Sequence, residues 1–238
     1  TFKQFLSEDY VEKVDGLQDS INVVRSFCKD WLENPVEIYC GMRDAGQIVT
    51  VDPTAKGRKS ANTSNYYTVF FDEILPEEFP LRSYSLICST NERKARGFGH
   101  TYAVIPFDGA KIGIVGAQDL WYRSVKLGNS KIQDIDILNN RIRDALDGKG
   151  QESWQDFVRE AHAHSTSILN TFEMTVEEFI DEIRKSYSAG SMGFKAITTK
   201  NLDVLSSYEN TELWIGDKCL FIRTDVTRDF RSALGLKS

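Results

Sequence analysis

Phe5, Leu6, Tyr10, Val14, Leu17, Ile21, Val24, Phe27, Cys28, Trp31 and Leu32 recur at intervals of three and four residues. That spacing lays one apolar stripe along a helix and predicts helical structure over residues 3 to 33. Asp15-Gly16 breaks or bends the run, and Asn34-Pro35 ends it, because the residue before a proline is pushed out of the helical region. Val36 to Cys40 then alternates as a strand and stops at Gly41. The polar stretch Asp52 to Asn65, with Lys56, Gly57, Arg58, Lys59 and Ser60, reads as an exposed loop, and Tyr66 to Leu75 as a short helix ended by Pro76.

Further on, Tyr84 to Cys88 reads as a buried strand, Asn91 to Gly97 as a short helix and Thr101 to Pro106 as a strand. Asp108-Gly109 has the chemistry of a hairpin turn into a strand over Lys111 to Val115. A helical block follows from about 132 to 188, in segments Ile135–Leu146, Ser153–Phe172 and Val176–Tyr187. Thr175 and Glu178 form a capping box for the last segment. Glu212 to Ile215 and Cys219 to Ile222 close the series as short strands around Gly216-Asp217. Strands do not alternate regularly with helices, so the class is α+β and not a doubly wound parallel sheet. The organisation expected is one catalytic domain over 1–238, with N-terminal helices at 1–34 and a helical insertion at about 130–190.

Composition narrows the class only a little. At 238 residues, 41% hydrophobic and 27% charged, the chain can bury a substantial core. No apolar run reaches the ~18 residues of a membrane span. Lys3, Glu8, Asp9, Glu12 and Lys13 interrupt any signal-peptide segment, so a cytoplasmic protein is expected. A net charge of -6 argues against a broad basic surface for duplex DNA. Cys28, Cys40, Cys88 and Cys219 lie far apart without a CxxC pair, which suits reduced core cysteines better than zinc. His162 and His164 are two apart in a helical pattern and cannot make the i, i+4 metal pair, and no nucleophile elbow is present.

Three segments carry candidate chemistry: Ile38-Tyr39-Cys40-Gly41-Met42-Arg43, Leu86-Ile87-Cys88-Ser89-Thr90-Asn91 followed by Ala95 and Phe98, and Tyr208-Glu209-Asn210-Thr211-Glu212-Leu213-Trp214-Ile215. In this order they resemble the ADP-ribosyltransferase superfamily. There, a first strand carries an arginine or histidine near Tyr and Gly, and a second ends in Ser-Thr-Ser before a helix with inward Ala and Phe. A late strand opens on a Gln-x-Glu or Glu-x-Glu pair. The resemblance covers roughly residues 36–115 and 200–223. This chain departs from the pattern at Cys40, where the family has its NAD-gripping arginine, at Asn91 for the third serine, and at Asn210 for the residue two before the glutamate.

The resemblance implies a fold of mixed small β-sheets of ADP-ribosyltransferase type, and transfer of ADP-ribose from NAD to a macromolecule with release of nicotinamide. NAD is the substrate and no metal is needed. Glu212 and Asn210 would be catalytic, with Tyr39, Gly41, Arg43, Arg82, Ser89 and Thr90 binding NAD and Arg43 or Arg82 replacing the missing arginine. Toxin-like or phage effectors of this kind act on a protein or nucleic-acid acceptor, with an antitoxin or regulatory protein as a further partner and no membrane. The chemistry also stands without the resemblance. Cleaving the nicotinamide–ribose bond leaves an oxocarbenium-like sugar, which a facing carboxylate stabilises more in the transition state than in the ground state. Asn210, two residues before Glu212, would share its face if the strand extended back, and would orient the acceptor. Tyr208 would stack on a base or pack on a protein partner. Simpler readings stand beside these: Ser89-Thr90-Asn91 as a helix cap with Glu92 in the first turn, Glu212 as a solvated edge-strand residue, and Arg82 in a surface pair with Glu77 or Glu78. The alternatives in function are a non-catalytic binding protein that keeps the fold, and an NAD glycohydrolase.

Overall fold

Apolar alternation produces strands close to where the pattern places them. A computed structural model describes residues 11–55, 57, 66–117, 154–163, 175–186 and 188–236. In it the expected strands appear as β2 (Tyr39–Met42), β4 (Leu86–Ser89), β5 (His100–Pro106), β6 (Lys111–Ile114), β8 (Glu212–Ile215) and β9 (Cys219–Arg223). Three more were not expected as strands: β3 (Ile48–Val51) and β7 (Lys195–Thr198) come from stretches the pattern left unassigned, and β1 (Val11–Lys13) from within the predicted N-terminal helix. β1 corrects the expected long N-terminal helix. Val11 to Lys13 pair with β3, and helix α1 (Gly16–Phe27) begins only at the glycine thought to interrupt it, followed by α2 (Lys29–Glu33). Residues 3–10, the loop cations Lys56, Arg58 and Lys59, and the expected helix Ile135–Leu146 lie outside the described residues.

Among the described residues the strands form one antiparallel sheet in the order β1-β3-β9-β5-β2-β4-β8-β6-β7. This corrects the expectation of several small mixed sheets. The sheet does have two halves, because β2 and β4 pair at a single position, Tyr39 opposite Ser89. Asp108-Gly109 is not a hairpin either. It links β5, which pairs with β2 and β9, to β6, which pairs with β7 and β8. Helix backbone and side chain hold that turn instead: the Asp108 N–H donates to Phe27 O at 2.7 Å, and the Asp108 carboxylate accepts from Asp30 N at 2.9 Å. Gly216-Asp217 likewise connects β8 and β9, which lie in different halves.

Alternation on β4 and β8 separates two cores. Leu86, Cys88, Leu213 and Ile215 enter the larger one with Ile21, Val24, Cys28 and Trp31 of α1 and α2. Trp214 and Ile87 point the other way, toward Phe71 of α3 (Tyr66–Ile74), Phe157 of α5 (Trp154–Ala163) and Phe179 of α6 (Val176–Ser186). The capping box of α6 is formed: Glu178 N donates to Thr175 Oγ1 at 3.2 Å and Thr175 N to Glu178 Oε2 at 2.8 Å. A short α7 (Ala189–Met192) adds Met192 to this second core, and a C-terminal α8 (Thr227–Ala233) adds Phe230 to the first. All four cysteines are buried and free of disulfides.

Candidate functional site

The three motif segments, far apart in sequence, become neighbours in β2, β4 and β8. Their registers place Tyr39 opposite Ser89, and Ser89 opposite Glu212. Directly paired residues project from the same face of a sheet, so these three side chains form one row. With strands ~4.8 Å apart, Glu212 stands about 10 Å from Tyr39.

Glu212 is not a solvated edge residue; it is 7% exposed. Its Oε1 accepts from Arg82 Nη1 at 3.1 Å and from Trp214 Nε1 at 2.6 Å. Arg82 also lies over the Trp214 ring, 4.7 Å from its centroid. Trp214 reaches the carboxylate because residues two apart on a strand share a face. Arg82 sits in the 3₁₀ turn Arg82–Tyr84 that leads into β4. That turn is held by α3, where the Asp72 carboxylate accepts from Ser83 N at 3.1 Å. Burial raises the Asp72 carboxyl above its ordinary range, against hydrogen bonds from Ser83 and the charge of Arg82. The surface pair expected for Arg82 with Glu77 or Glu78 is therefore replaced by a buried one. Trp214 and Asp72 are the site residues that sequence reading missed. The i, i+2 relation of Trp214 to Glu212 was a usable signal; nothing in the sequence linked Asp72 to Arg82.

Ser89 Oγ accepts from Asn91 N at 3.1 Å. Asn91 caps α4 (Glu92–Arg96), its Oδ1 accepting from Arg93 N at 2.9 Å and Lys94 N at 3.3 Å. Thr90 holds the late segment, since its Oγ1 accepts from Thr211 N at 2.9 Å while its own N–H donates to Thr211 O at 3.0 Å. Asn210 departs from expectation. Its φ is +56°, the one positive value for a non-glycine among the described residues, so strand alternation does not extend back from Glu212. Its Oδ1 accepts from Asn91 Nδ2 at 3.1 Å, which ties it to the cap of α4. The segment Thr199–Ser207 before it is 3₁₀ helix interrupted by a kink at Asn201, and Tyr208 packs against the larger core.

Gly41 is required by packing: a Cβ there would meet Ala95 O at 1.9 Å. Ala95 faces inward as expected, whereas Phe98 is 38% exposed. Cys40 faces the larger core beside Tyr102, where an arginine would bury a guanidinium among apolar side chains. Arg43 is exposed and lies just past the end of β2, four residues from Tyr39, about 13 Å away at strand rise. It is not brought to the row. Burial, then the Glu37 carboxylate, push the Tyr39 hydroxyl above the ordinary phenol range, so it stays protonated and donates to Glu37 Oε2 at 3.0 Å.

Among the described residues no group of three or more His, Cys, Asp or Glu is placed to hold a metal, and no helix is long and apolar enough to cross a membrane. Comparison with protein-family models, curated proteins and solved structures gives no match.

Proposed function

We propose that the protein transfers ADP-ribose from NAD to a macromolecular acceptor, with Glu212 as the catalytic carboxylate. The observation that supports this reading is the row Tyr39–Ser89–Glu212, which unites the three motif segments on adjacent strands. In the reaction the bond between ribose C1′ and the nicotinamide nitrogen breaks, and its electron pair leaves with neutral nicotinamide. The Glu212 carboxylate stabilises the cationic sugar, and a nucleophilic atom of the acceptor then bonds to C1′ and loses its proton. Arg82 and Trp214 hold the carboxylate in one orientation, so little reorganisation is needed as charge develops. Ser89 presents a small hydroxyl beside it. Asn210 and Thr211, fastened by Asn91 and Thr90, form the lip from which an acceptor approaches. The acceptor is a protein residue or a nucleic-acid base, and a phage or toxin-like effector acting in the cytoplasm would meet both.

One observation favours a second reading, a non-catalytic binding protein: a buried Arg82–Glu212 pair is also what a purely structural ion pair looks like. Purified protein given NAD labelled in its ADP-ribose portion and cell lysate separates the two. The expected results are nicotinamide release, label that survives protease or nuclease but not both, and a fall of at least ~1000-fold in Glu212→Gln with its fold retained. A fall under ~10-fold, about 1.4 kcal/mol of barrier, removes Glu212 from the chemical step. Label found only as free ADP-ribose makes the protein an NAD glycohydrolase.

A further inference from the structure

Helix α4 carries three cations in five residues, Arg93, Lys94 and Arg96, in a chain whose net charge is -6. Arg93 and Arg96 are exposed and, three apart, share one side of the helix. Glu92 pairs with Arg96 at 2.9 Å, but the two side chains are 39% and 69% exposed, so the bond is open to exchange for another anion. The helix runs into Gly97-Phe98-Gly99, which presents a ring. Phe98 is 38% exposed while its backbone is fixed. Phe98 N donates to Ala95 O at 3.0 Å, and a Cβ on Gly41 would lie 2.8 Å from the Phe98 Cβ. Gly99 takes a φ of +133°, and a Cβ there would meet Met42 O at 2.5 Å. The same Cβ would stand 3.6 Å from Arg43 N, so exposed Arg43 continues the basic surface beyond the ring. Asp44, next in the chain, is paired with Arg223 at 3.4 Å.

We infer that this surface binds a single-stranded nucleic acid and leads it to the lip at Asn210 as the acceptor. The role as acceptor rests on the transferase reading above; the binding does not. Arginine forks suit phosphate oxygens, and an exposed ring held in place offers a face on which an unpaired base stacks. A duplex keeps its bases stacked on one another and hides their faces, so the ring selects the single strand. Charge complementarity points the same way. The rest of a chain with net charge -6 repels a polyanion, which confines it to the place where cations are concentrated. The surface also leads to the site. Asn91, the cap of α4, donates from Nδ2 to Asn210 Oδ1 at 3.1 Å, and Phe98 lies seven residues further on, about 10 Å at helical rise. A strand stacked on Phe98 and held by Arg93 and Arg96 would therefore have its neighbouring bases at the lip beside Glu212.

Fluorescence anisotropy of the intact chain with a labelled single strand of about 20 nucleotides, as DNA and as RNA, tests this without needing turnover. Binding of at least one strand is expected, weakening as salt rises, with a duplex of the same sequence bound at least ~10-fold more weakly. Arg93→Ala combined with Arg96→Ala should weaken the strand ~10-fold or more. It should also reduce the slope of log affinity against log salt by about 1.4, two phosphates at ~0.7 each. Phe98→Ala should weaken the strand ~5- to 100-fold, the span of one stacked base, with the salt slope unchanged. Phe98→Tyr should keep wild-type affinity, and so should Arg25→Ala on α1 of the larger core. If Phe98→Ala does not fold, Phe98→Leu, apolar but without a π face, replaces it. No binding of either strand, equal binding of the duplex, or wild-type affinity in either the double variant or the Phe98 variant overturns the assignment. Nicotinamide release is scored separately. Strand binding with these dependences in a protein that never releases nicotinamide supports the surface and sinks the transferase reading. Turnover whose label is removed by protease and not by nuclease sinks the surface as the acceptor's dock and leaves that reading standing.

Discussion

Arg82 and Arg223 each hold a carboxylate, in opposite surroundings. Arg223 has the better geometry, a two-pronged fork on Asp225 with Nε–Oδ1 at 2.9 Å and Nη2–Oδ2 at 2.8 Å. Yet its side chain and that of Asp225 are 22% and 56% exposed, so water and salt compete for both charges. Arg82 makes one bond of 3.1 Å to Glu212, with both side chains 9% exposed. There the charges cannot return to water without opening the structure, and each depends on the other. Hydrogen-bond length does not rank these two pairs; the medium around them does. The buried pair also has neighbours that act on it, an indole N–H on the carboxylate and a ring under the guanidinium.

The largest effect should come from Arg82→Ala, which leaves the Glu212 carboxylate buried without its cation. A loss of ~3–5 kcal/mol in urea unfolding is expected. A double change, Arg82→Leu with Glu212→Leu, should recover most of that stability while nicotinamide release stays absent, which separates the structural from the chemical role of the pair. If the double variant is no more stable than the single one, the cost does not arise from an unpaired charge.

Trp214→Phe keeps a ring in the second core but removes the donor on Oε1. Unfolding experiments should show a loss of ~1.5–3 kcal/mol, the range for a hydrogen bond to a charged group. A smaller value would mean that Arg82 alone sets the carboxylate.

The effects of pH sharpen the contrast because the carboxyls of the two regions shift in opposite directions. Burial raises Asp72, so its neutral form contributes stability that is complete below the usual carboxylate range and lost as pH rises through its raised value. Asp72→Asn keeps an oxygen for Ser83 N and should abolish that decline, seen as a flatter melting temperature from acid to neutral pH. Hydrogen bonding and the charge of Arg223 hold Asp225 below its usual range, so its contribution is present at neutral pH and lost as pH falls. The smallest effect is expected here: Asp225→Asn should leave the neutral melting temperature unchanged within error and lower it only slightly at low salt. A large loss would show that the exposed pair is shielded from water by something the fold does not reveal.

Local chemistry was legible wherever neighbours in sequence decide it. Asn91 and Glu92 marked the start of α4, Thr175 and Glu178 that of α6, and the apolar residues around Leu86 and Leu213 marked two short strands. Glu212 could be read as the head of a strand for the same reason. Asp108-Gly109 and Gly216-Asp217 show the limit, since each is a turn by its own residues yet neither joins paired strands. Turn chemistry specifies how the chain bends; it does not specify which strand it meets next. Asn210 failed differently, because an asparagine tolerates a left-handed backbone and the strand period stops there.

The sequence by itself determined the class of elements, the buried faces and the residue types able to do chemistry at Tyr39, Ser89 and Glu212. These follow from periodicity and from side-chain chemistry, which are properties of short windows. Only the tertiary structure decided that β2, β4 and β8 are adjacent, that Arg82 turns onto Glu212, and that Trp214 donates to it. Those outcomes depend on sheet order and on contacts such as the 130-residue separation between Arg82 and Glu212. Such contacts are set by how two cores close on both faces of one sheet, and no local window contains that information.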